Sequence, residues 1–128
     1  MKIEELFLKI NNVVCGNFDS LSEFNFNGDY IICDSSEVVY VGSAYARTIE
    51  QRLKQYISNS DTGNTLGKTV AKSLSGSQAY DEQAKSKMGD AIEKIKTFTI
   101  YAIHNDDLEY KLIGLTNPIY NNCGKDED

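Results

Sequence analysis

Residues 29–42 read DYIICDSSEVVYVG, two short apolar runs on either side of a polar turn. The first run covers 29–34, the turn is Asp34-Ser35-Ser36-Glu37, and the second run covers 38–42. Runs of this length that are rich in Ile, Val and Tyr and bounded by turn residues are typical of β-strands. The pattern therefore predicts an antiparallel hairpin.

The sequence on both sides of this hairpin predicts helices and one further strand. Apolar residues with helical spacing predict a helix over 2–14, and a polar loop follows it as far as Gly28. The later elements are expected to be helices over 46–58, 65–74 and 79–95, a strand over 96–103, and a helix that begins at Asp106. The fold class is therefore expected to be α+β, with a small three-stranded antiparallel sheet flanked by helices.

A chain of 128 residues has room for one compact core. Its expected parts are an N-terminal helix and loop extension over 1–27, a main domain over 28–122 and an acidic tail over 123–128. The segment 58–95 forms a helical insert within the main domain. We see no internal repeat and no linker that would divide the chain further.

The distribution of charge leaves a nucleic-acid partner open although the net charge is −6. Residues 1–39 have a net charge of −5 and residues 98–128 one of −4, whereas residues 40–97 have a net charge of +3. Phosphate binding draws on Lys and Arg, so this middle segment is the expected contact. Its lysines form either a solvated face or a backbone contact; they include Lys68, Lys72, Lys85 and Lys87.

The apolar runs are too short for a membrane span, the longest being 99–103 and 38–41. The first five residues carry acids where a signal peptide would carry basic residues. A cytoplasmic location without membrane contact is therefore expected.

Two familiar catalytic patterns do not fit. Residues 63–69, GNTLGKT, have three residues between the glycines, where a phosphate-binding loop has four. A Ser/His or Cys/His catalyst would depend on His104, the only histidine of the chain. A lone loop histidine is more often a solvated residue than a base in contact with a nucleophile.

The hairpin carries a different pattern. The triplet Gly28-Asp29-Tyr30 is followed ten residues later by Tyr40 in Tyr40-Val41-Gly42, and Arg52 lies in the next predicted helix. This order resembles the GIY-YIG nuclease family. Tyr56, one helical turn after Arg52, matches a position where members carry tyrosine or histidine, and tyrosine there is similar to the excision-repair incision nucleases.

The resemblance extends to the end of the predicted fold, over about 28–122, and includes features of restriction-enzyme catalytic modules. Glu109 lies in the first turn of the last predicted helix, and Asn121 stands twelve residues later in Pro118-Ile119-Tyr120-Asn121. Two positions depart from the family pattern. Asp29 replaces an apolar residue and would project from the sheet face opposite Tyr30. Ser43 stands where several members place a lysine near the scissile phosphate.

The resemblance implies a metal-dependent endonuclease that hydrolyses phosphodiester bonds in DNA. The implied catalytic residues are Tyr30, Tyr40, Arg52, Tyr56, Glu109 and Asn121, and the implied substrate contacts are Ser43, Arg47, Lys68 and Lys72. Glu109 would bind Mg²⁺ or Mn²⁺ as a hard carboxylate ligand, and Arg52 would stabilise the phosphate charge. The residue that activates the water is left open between the two strand tyrosines. Asn121 would hold either Glu109 or the terminal turn.

DNA is the expected partner, RNA is left open, and a separate specificity or partner protein would suit a chain without a reader domain. The alternative is a catalytically weak or inactive GIY-YIG-like module that binds nucleic acid or a protein. Asp29, Ser43 and the acidic balance of the chain favour this alternative.

Overall fold

The computed structural model describes residues 13–59, 63–103 and 118–121. Its strands are β1 (Val13–Asn17), β2 (Gly28–Asp34), β3 (Glu37–Ala44) and β4 (Thr99–Ile103). Its helices are a 3-10 helix (Leu21–Phe24), α1 (Ile49–Tyr56), α2 (Thr65–Ser75), α3 (Glu82–Lys85) and α4 (Met88–Ile95). The strands form one antiparallel sheet in the order β1-β4-β2-β3.

The expected α+β class, with an antiparallel sheet flanked by helices, is confirmed, but the described sheet has four strands where three were expected. The additional strand is β1. The prediction of a helix over 2–14 is wrong at Val13 and Val14, because these residues pair with Ile103 and Ala102 of β4. Residues 1–12 lie outside the described residues. Both valines are β-branched, and pairing with a strand distant in sequence outweighs the local helical spacing.

The hairpin is confirmed and is tighter than expected. Asp34 pairs with Glu37, so only Ser35 and Ser36 remain in the turn, and Ser35 has a φ of 58°. A positive φ in a two-residue turn matches the right-handed twist of the paired strands. The register places Tyr30 directly opposite Gly42.

The two faces of the sheet contact different apolar clusters. Tyr30 and Ile32 of β2 belong to the larger cluster, which also contains the buried residues of the helices. Ile31 and Cys33 of the same strand belong to a smaller cluster with Val41. Because successive side chains of a strand point to opposite faces, Asp29 shares the face of Ile31, as the sequence predicted.

Helix α1 positions two candidate site residues and has a well-defined start. The Thr48 hydroxyl accepts a hydrogen bond from the Gln51 backbone N–H at 3.1 Å, and the Gln51 side chain accepts one from the Thr48 N–H at 2.9 Å. This capping box satisfies two backbone donors at the helix start. Leu53 and Tyr56 are buried on the side of α1 that faces the core.

The helix expected over 65–74 is present as α2, but the helix expected over 79–95 is divided into α3 and α4. The break falls at Ser86 and Lys87, where the Ser86 hydroxyl donates to the Gln83 carbonyl at 2.6 Å. Such local side-chain bonds compete with helix continuation. Helix α2 packs against both α3 and α4.

Residues 118–121 lie along the exposed edge of β3. The Tyr120 N–H donates to the Val39 carbonyl at 2.9 Å, which satisfies part of this edge. The helix expected from Asp106 lies outside the described residues, as does the tail. None of the helices in the described ranges has the length and apolar character needed to cross a membrane.

Candidate active site

Three tyrosines from different elements meet on the helical side of the sheet. Tyr30 comes from β2, Tyr40 from β3 and Tyr56 from the last turn of α1. The ring centroids lie 6.4 Å apart for Tyr30 and Tyr40, 6.2 Å for Tyr30 and Tyr56, and 5.7 Å for Tyr40 and Tyr56. We call these three residues the tyrosine cluster.

The hydroxyl groups of the tyrosine cluster are hydrogen-bonded to one another. The Tyr30 and Tyr56 hydroxyls form one hydrogen bond, and the Tyr56 hydroxyl also donates to the Tyr40 hydroxyl at 3.4 Å. Buried phenols need such partners, because an unpaired hydroxyl in the core carries a desolvation cost.

The members of the cluster differ in burial. Tyr30 is 1% exposed and Tyr56 is fully buried, whereas Tyr40 is partly exposed. Burial, followed by the charge of Tyr40, raises the pKa of Tyr30. Burial, followed by the charge of Tyr30, raises the pKa of Tyr56 well above its usual value. Tyr30 and Tyr56 therefore stay protonated at neutral pH, and Tyr40 is the member that solvent reaches.

Arg52 extends the cluster toward the surface. Its guanidinium carbon lies 5.3 Å from the centroid of the Tyr56 ring, which is cation–π distance. Its charge lowers the pKa of Tyr30 and of Tyr56 and so opposes part of the burial effect. Its Nη1 donates to the Gln55 Oε1 at 2.8 Å, which fixes the orientation of the fork. The sequence did not identify Gln55, although the i to i+3 spacing on one helix face was a usable signal.

Gly42 is required by the close approach of a ring. A Cβ at position 42 would lie 2.5 Å from both the Cζ and the hydroxyl oxygen of Tyr30. Tyr30 is 1% exposed, so the core encloses its ring. The glycine of the Tyr-Val-Gly triplet therefore allows the Tyr30 ring to lie across β3.

A small surface pocket adjoins the cluster through Arg52. Its volume is about 190 Å³, and we call it the arginine pocket; its lining residues are Ser43, Ala44, Tyr45, Ala46, Arg47 and Arg52. Three of the sequence-predicted residues, Ser43, Arg47 and Arg52, therefore line one cavity. Two guanidinium groups and a hydroxyl are a suitable set of donors for phosphate oxygens.

The predicted lysines lie elsewhere. Lys72 lines a separate cavity of about 340 Å³, which we call the insert pocket; its lining residues are Thr69, Lys72, Ser73, Ser77, Gln78, Ile119 and Tyr120. Lys68 lies over the ring of Tyr80, with its Nζ 5.5 Å from the centroid. Neither lysine lines the arginine pocket.

Asn121 has a defined structural partner. Its side-chain Oδ1 accepts from the Val41 N–H at 2.7 Å, and its Nδ2 donates to the Val41 carbonyl at 2.7 Å. The side chain thus pairs with the edge of β3 as a neighbouring strand would. These hydrogen bonds attach residues 118–121 to β3 next to Tyr40. Glu109 lies outside the described residues, and the catalytic role of Asn121 stays a prediction.

A divalent cation would need Glu109 at this site. Within 13–59, 63–103 and 118–121, no three His, Cys, Asp or Glu side chains are grouped to hold a metal ion. The oxygen donors beside Arg52 are phenols, and a hard cation prefers at least one carboxylate with water and phosphate oxygens. The phenol oxygens could therefore take part in a Mg²⁺ site only if such a carboxylate were also present.

The fold and this site together define a small α+β domain whose hydroxyl and guanidinium groups meet at one end of a hairpin. The sequence matches the family of the GIY-YIG catalytic domain over residues 26–122, and the chain belongs to that family. Members are generally endonucleases that use divalent metals and act on nucleic acid. No curated protein and no solved structure matches the chain.

Proposed function

We propose that this chain is a metal-dependent endonuclease that hydrolyses phosphodiester bonds in DNA at the tyrosine cluster and Arg52. The convergence of Tyr30, Tyr40, Tyr56 and Arg52 in a GIY-YIG domain is the observation that carries this proposal. Hydrolysis of a phosphodiester needs a base for the attacking water and positive charge for the phosphate, and these residue types supply both.

Arg52 would bind the scissile phosphate. Its planar guanidinium presents parallel donors that match two non-bridging oxygens. The contact with the Tyr56 ring and the hydrogen bond to Gln55 hold the fork in place before substrate arrives, so little reorganisation is needed in the reaction. Ser43 and Arg47 line the same pocket and would contact the adjoining phosphate.

Tyr40 would accept the proton of the attacking water. It is the member of the tyrosine cluster that solvent reaches, and its hydroxyl oxygen accepts a hydrogen bond from Tyr56. For this step Tyr40 reacts as the phenolate, after its own proton has been released to solvent. The water oxygen then forms a bond to phosphorus, the bond from phosphorus to the leaving sugar oxygen breaks, and that oxygen takes a proton from solvent. Tyr30 and Tyr56 act as positioning residues.

Glu109 would hold Mg²⁺ or Mn²⁺, with water and phosphate oxygens as the other ligands. When bound, the cation polarises the phosphate and stabilises charge on the leaving oxygen. Asn121 would position the end of the domain on β3 beside Tyr40. Lys72 in the insert pocket and Lys68 on the same helix would contact the backbone away from the cut, and a separate protein would supply sequence specificity.

The test is nicking of supercoiled plasmid with Mg²⁺, with Mn²⁺ and with EDTA. Wild type and the control Glu93→Gln should nick with either metal, because Glu93 lies exposed on α4 and pairs with Lys96. Glu109→Gln and the EDTA sample should leave the plasmid intact. Equal nicking by Glu109→Gln would show that the proposed metal ligand is wrong. Retention of DNA without cleavage in either metal would instead support the binding module without catalysis.

A further inference from the structure

Tyr45 is an exposed aromatic residue at the edge of the arginine pocket. It follows the end of β3 and is 49% exposed. Two other large apolar side chains in the described ranges are similarly exposed, Leu74 and Ile119, and neither lines the arginine pocket. The family pattern used above does not include this position.

Hydrogen bonds hold both the side-chain hydroxyl and the backbone of Tyr45. The hydroxyl donates to the Oδ1 of Asp29 at 3.0 Å, and Asp29 is fully buried in β2. The side-chain Nδ2 of Asn27 donates to the carbonyl of Tyr45 at 3.3 Å and to that of Arg47 at 2.7 Å. An aromatic ring held in this way is already in position when a ligand arrives, so binding costs little conformational entropy.

The surroundings of the ring indicate its ligand. Arg47 and Arg52 line the same cavity, so a phosphate held there brings its nucleotide next to the Tyr45 ring. A cavity of about 190 Å³ takes a phosphate and leaves the base at the rim. Nucleobases stack on aromatic side chains whatever their sequence, but a base paired within a duplex has both faces covered by its neighbours. A ring that is 49% exposed can therefore stack with an unpaired base more readily than with a paired one.

We propose that Tyr45 is a stacking platform for an unpaired nucleobase next to the phosphate bound in the arginine pocket, with Asp29 as its positioning residue. The choice of nucleotide rests on the proposed function. It also gives Asp29, which replaces an apolar residue of the family pattern, a definite role. The chain would accordingly prefer DNA that is single-stranded or flapped at the cut over continuous duplex.

Fluorescence of 2-aminopurine in a single-stranded oligonucleotide tests this, in EDTA so that no cleavage is needed. Stacking on Tyr45 should quench the probe when wild-type protein binds. Tyr45→Gln removes the ring but keeps a polar group near Asp29, and it should lose the quenching and bind single strands at least about fivefold more weakly. Tyr45→Phe keeps the ring but loses the hydrogen bond to Asp29, so it should quench less than wild type and more than Tyr45→Gln.

The control is Ile119→Ala, which removes an exposed apolar side chain from the insert pocket and should quench as wild type does. Quenching and affinity unchanged in Tyr45→Gln would overturn the proposal, and so would a wild-type protein that does not bind the oligonucleotide, which would make the ring a protein contact. Failure of the proposed nuclease activity leaves this readout intact, because plasmid cleavage and probe quenching are measured separately.

Discussion

The tyrosine cluster and the insert pocket both contain hydroxyl groups, but they hold them in different environments. In the tyrosine cluster, the Tyr30 and Tyr56 hydroxyls are hydrogen-bonded to each other inside the core. In the insert pocket, Lys72 and the hydroxyls of Thr69 and Ser73 lie at a surface that water reaches. A lost group in the core leaves its partner unpaired, whereas water replaces a lost group at the surface. Substitutions in the cluster should therefore have the larger effects.

The largest expected effect of a substitution within the tyrosine cluster is that of Tyr40→Phe on the rate of cleavage. Loss of the proposed base should slow single-turnover cleavage by at least about a hundredfold. The thermal midpoint should change little, because Tyr40 is partly exposed. Tyr120→Phe is the matched variant from the insert pocket and should cleave as wild type does. Equal rates for both variants would remove the functional distinction between the two regions.

The second-largest effect is a loss of stability, which is expected where the Tyr30 ring lies against Gly42. Gly42→Ala places a Cβ against the buried Tyr30 ring and should lower the free energy of unfolding by about 1–3 kcal/mol. Chemical denaturation measures this. Gly89→Ala is the control, because a Cβ at position 89 in α4 meets nothing within 4 Å and should leave stability equal or slightly higher. Equal losses in both variants would contradict the close packing of Tyr30.

Alkaline pH should destabilise the protein through the tyrosine cluster. Because burial raises the pKa of Tyr30 and Tyr56, the folded protein keeps protons that the unfolded chain releases above pH 10. The free energy of unfolding should therefore fall as pH rises above about 10, by up to about 1.4 kcal/mol per pH unit for each phenol. Urea unfolding at pH 9–11 measures this fall. It should be shallower in Tyr56→Phe, and an identical slope would show that Tyr56 ionises freely.

The smallest effect is expected in the insert pocket. Lys72→Ala should leave stability unchanged, because the lysine lies at the surface of α2. If Lys72 contacts one phosphate, its loss should weaken DNA binding by a few-fold and reduce the salt slope of log K by about one. Titration of labelled DNA at several salt concentrations checks both values. An unchanged slope would assign Lys72 to the solvated face.

Much of the fold follows from local patterns in the sequence. The hairpin was predictable because β2 and β3 are adjacent, β-branched and joined by a polar turn. Helices α1 and α2 have apolar residues at helical spacing and a capping residue, Thr48 or Asn64, at each start. Strand β1 was missed because it is stabilised by pairing with β4, which lies far away in sequence. Local spacing does not contain that information.

The sequence predicted which residues come together at the site, but not how exposed each of them is or which partners it has. The order of Tyr30, Tyr40 and Arg52 predicted their convergence, and the structure brings them together with Tyr56. Which tyrosine faces solvent depends on tertiary packing, so it could not be read from spacing. The bond between Tyr45 and Asp29 was likewise hidden, although a carboxylate within an apolar strand indicated that some partner was needed. The metal role of Glu109 stays a prediction.

In the proposed mechanism Arg52, beside the tyrosine cluster, stabilises a phosphate during cleavage. The most direct test is the single-turnover rate of DNA cleavage in Mg²⁺, at saturating protein, for Arg52→Ala and for Lys54→Ala. Both cations lie on α1, but Lys54 is exposed and pairs with Glu50 at 3.2 Å. We expect a loss of at least about a hundredfold for Arg52→Ala and little change for Lys54→Ala. Equal rates for the two variants would contradict a role of Arg52 in stabilising the phosphate.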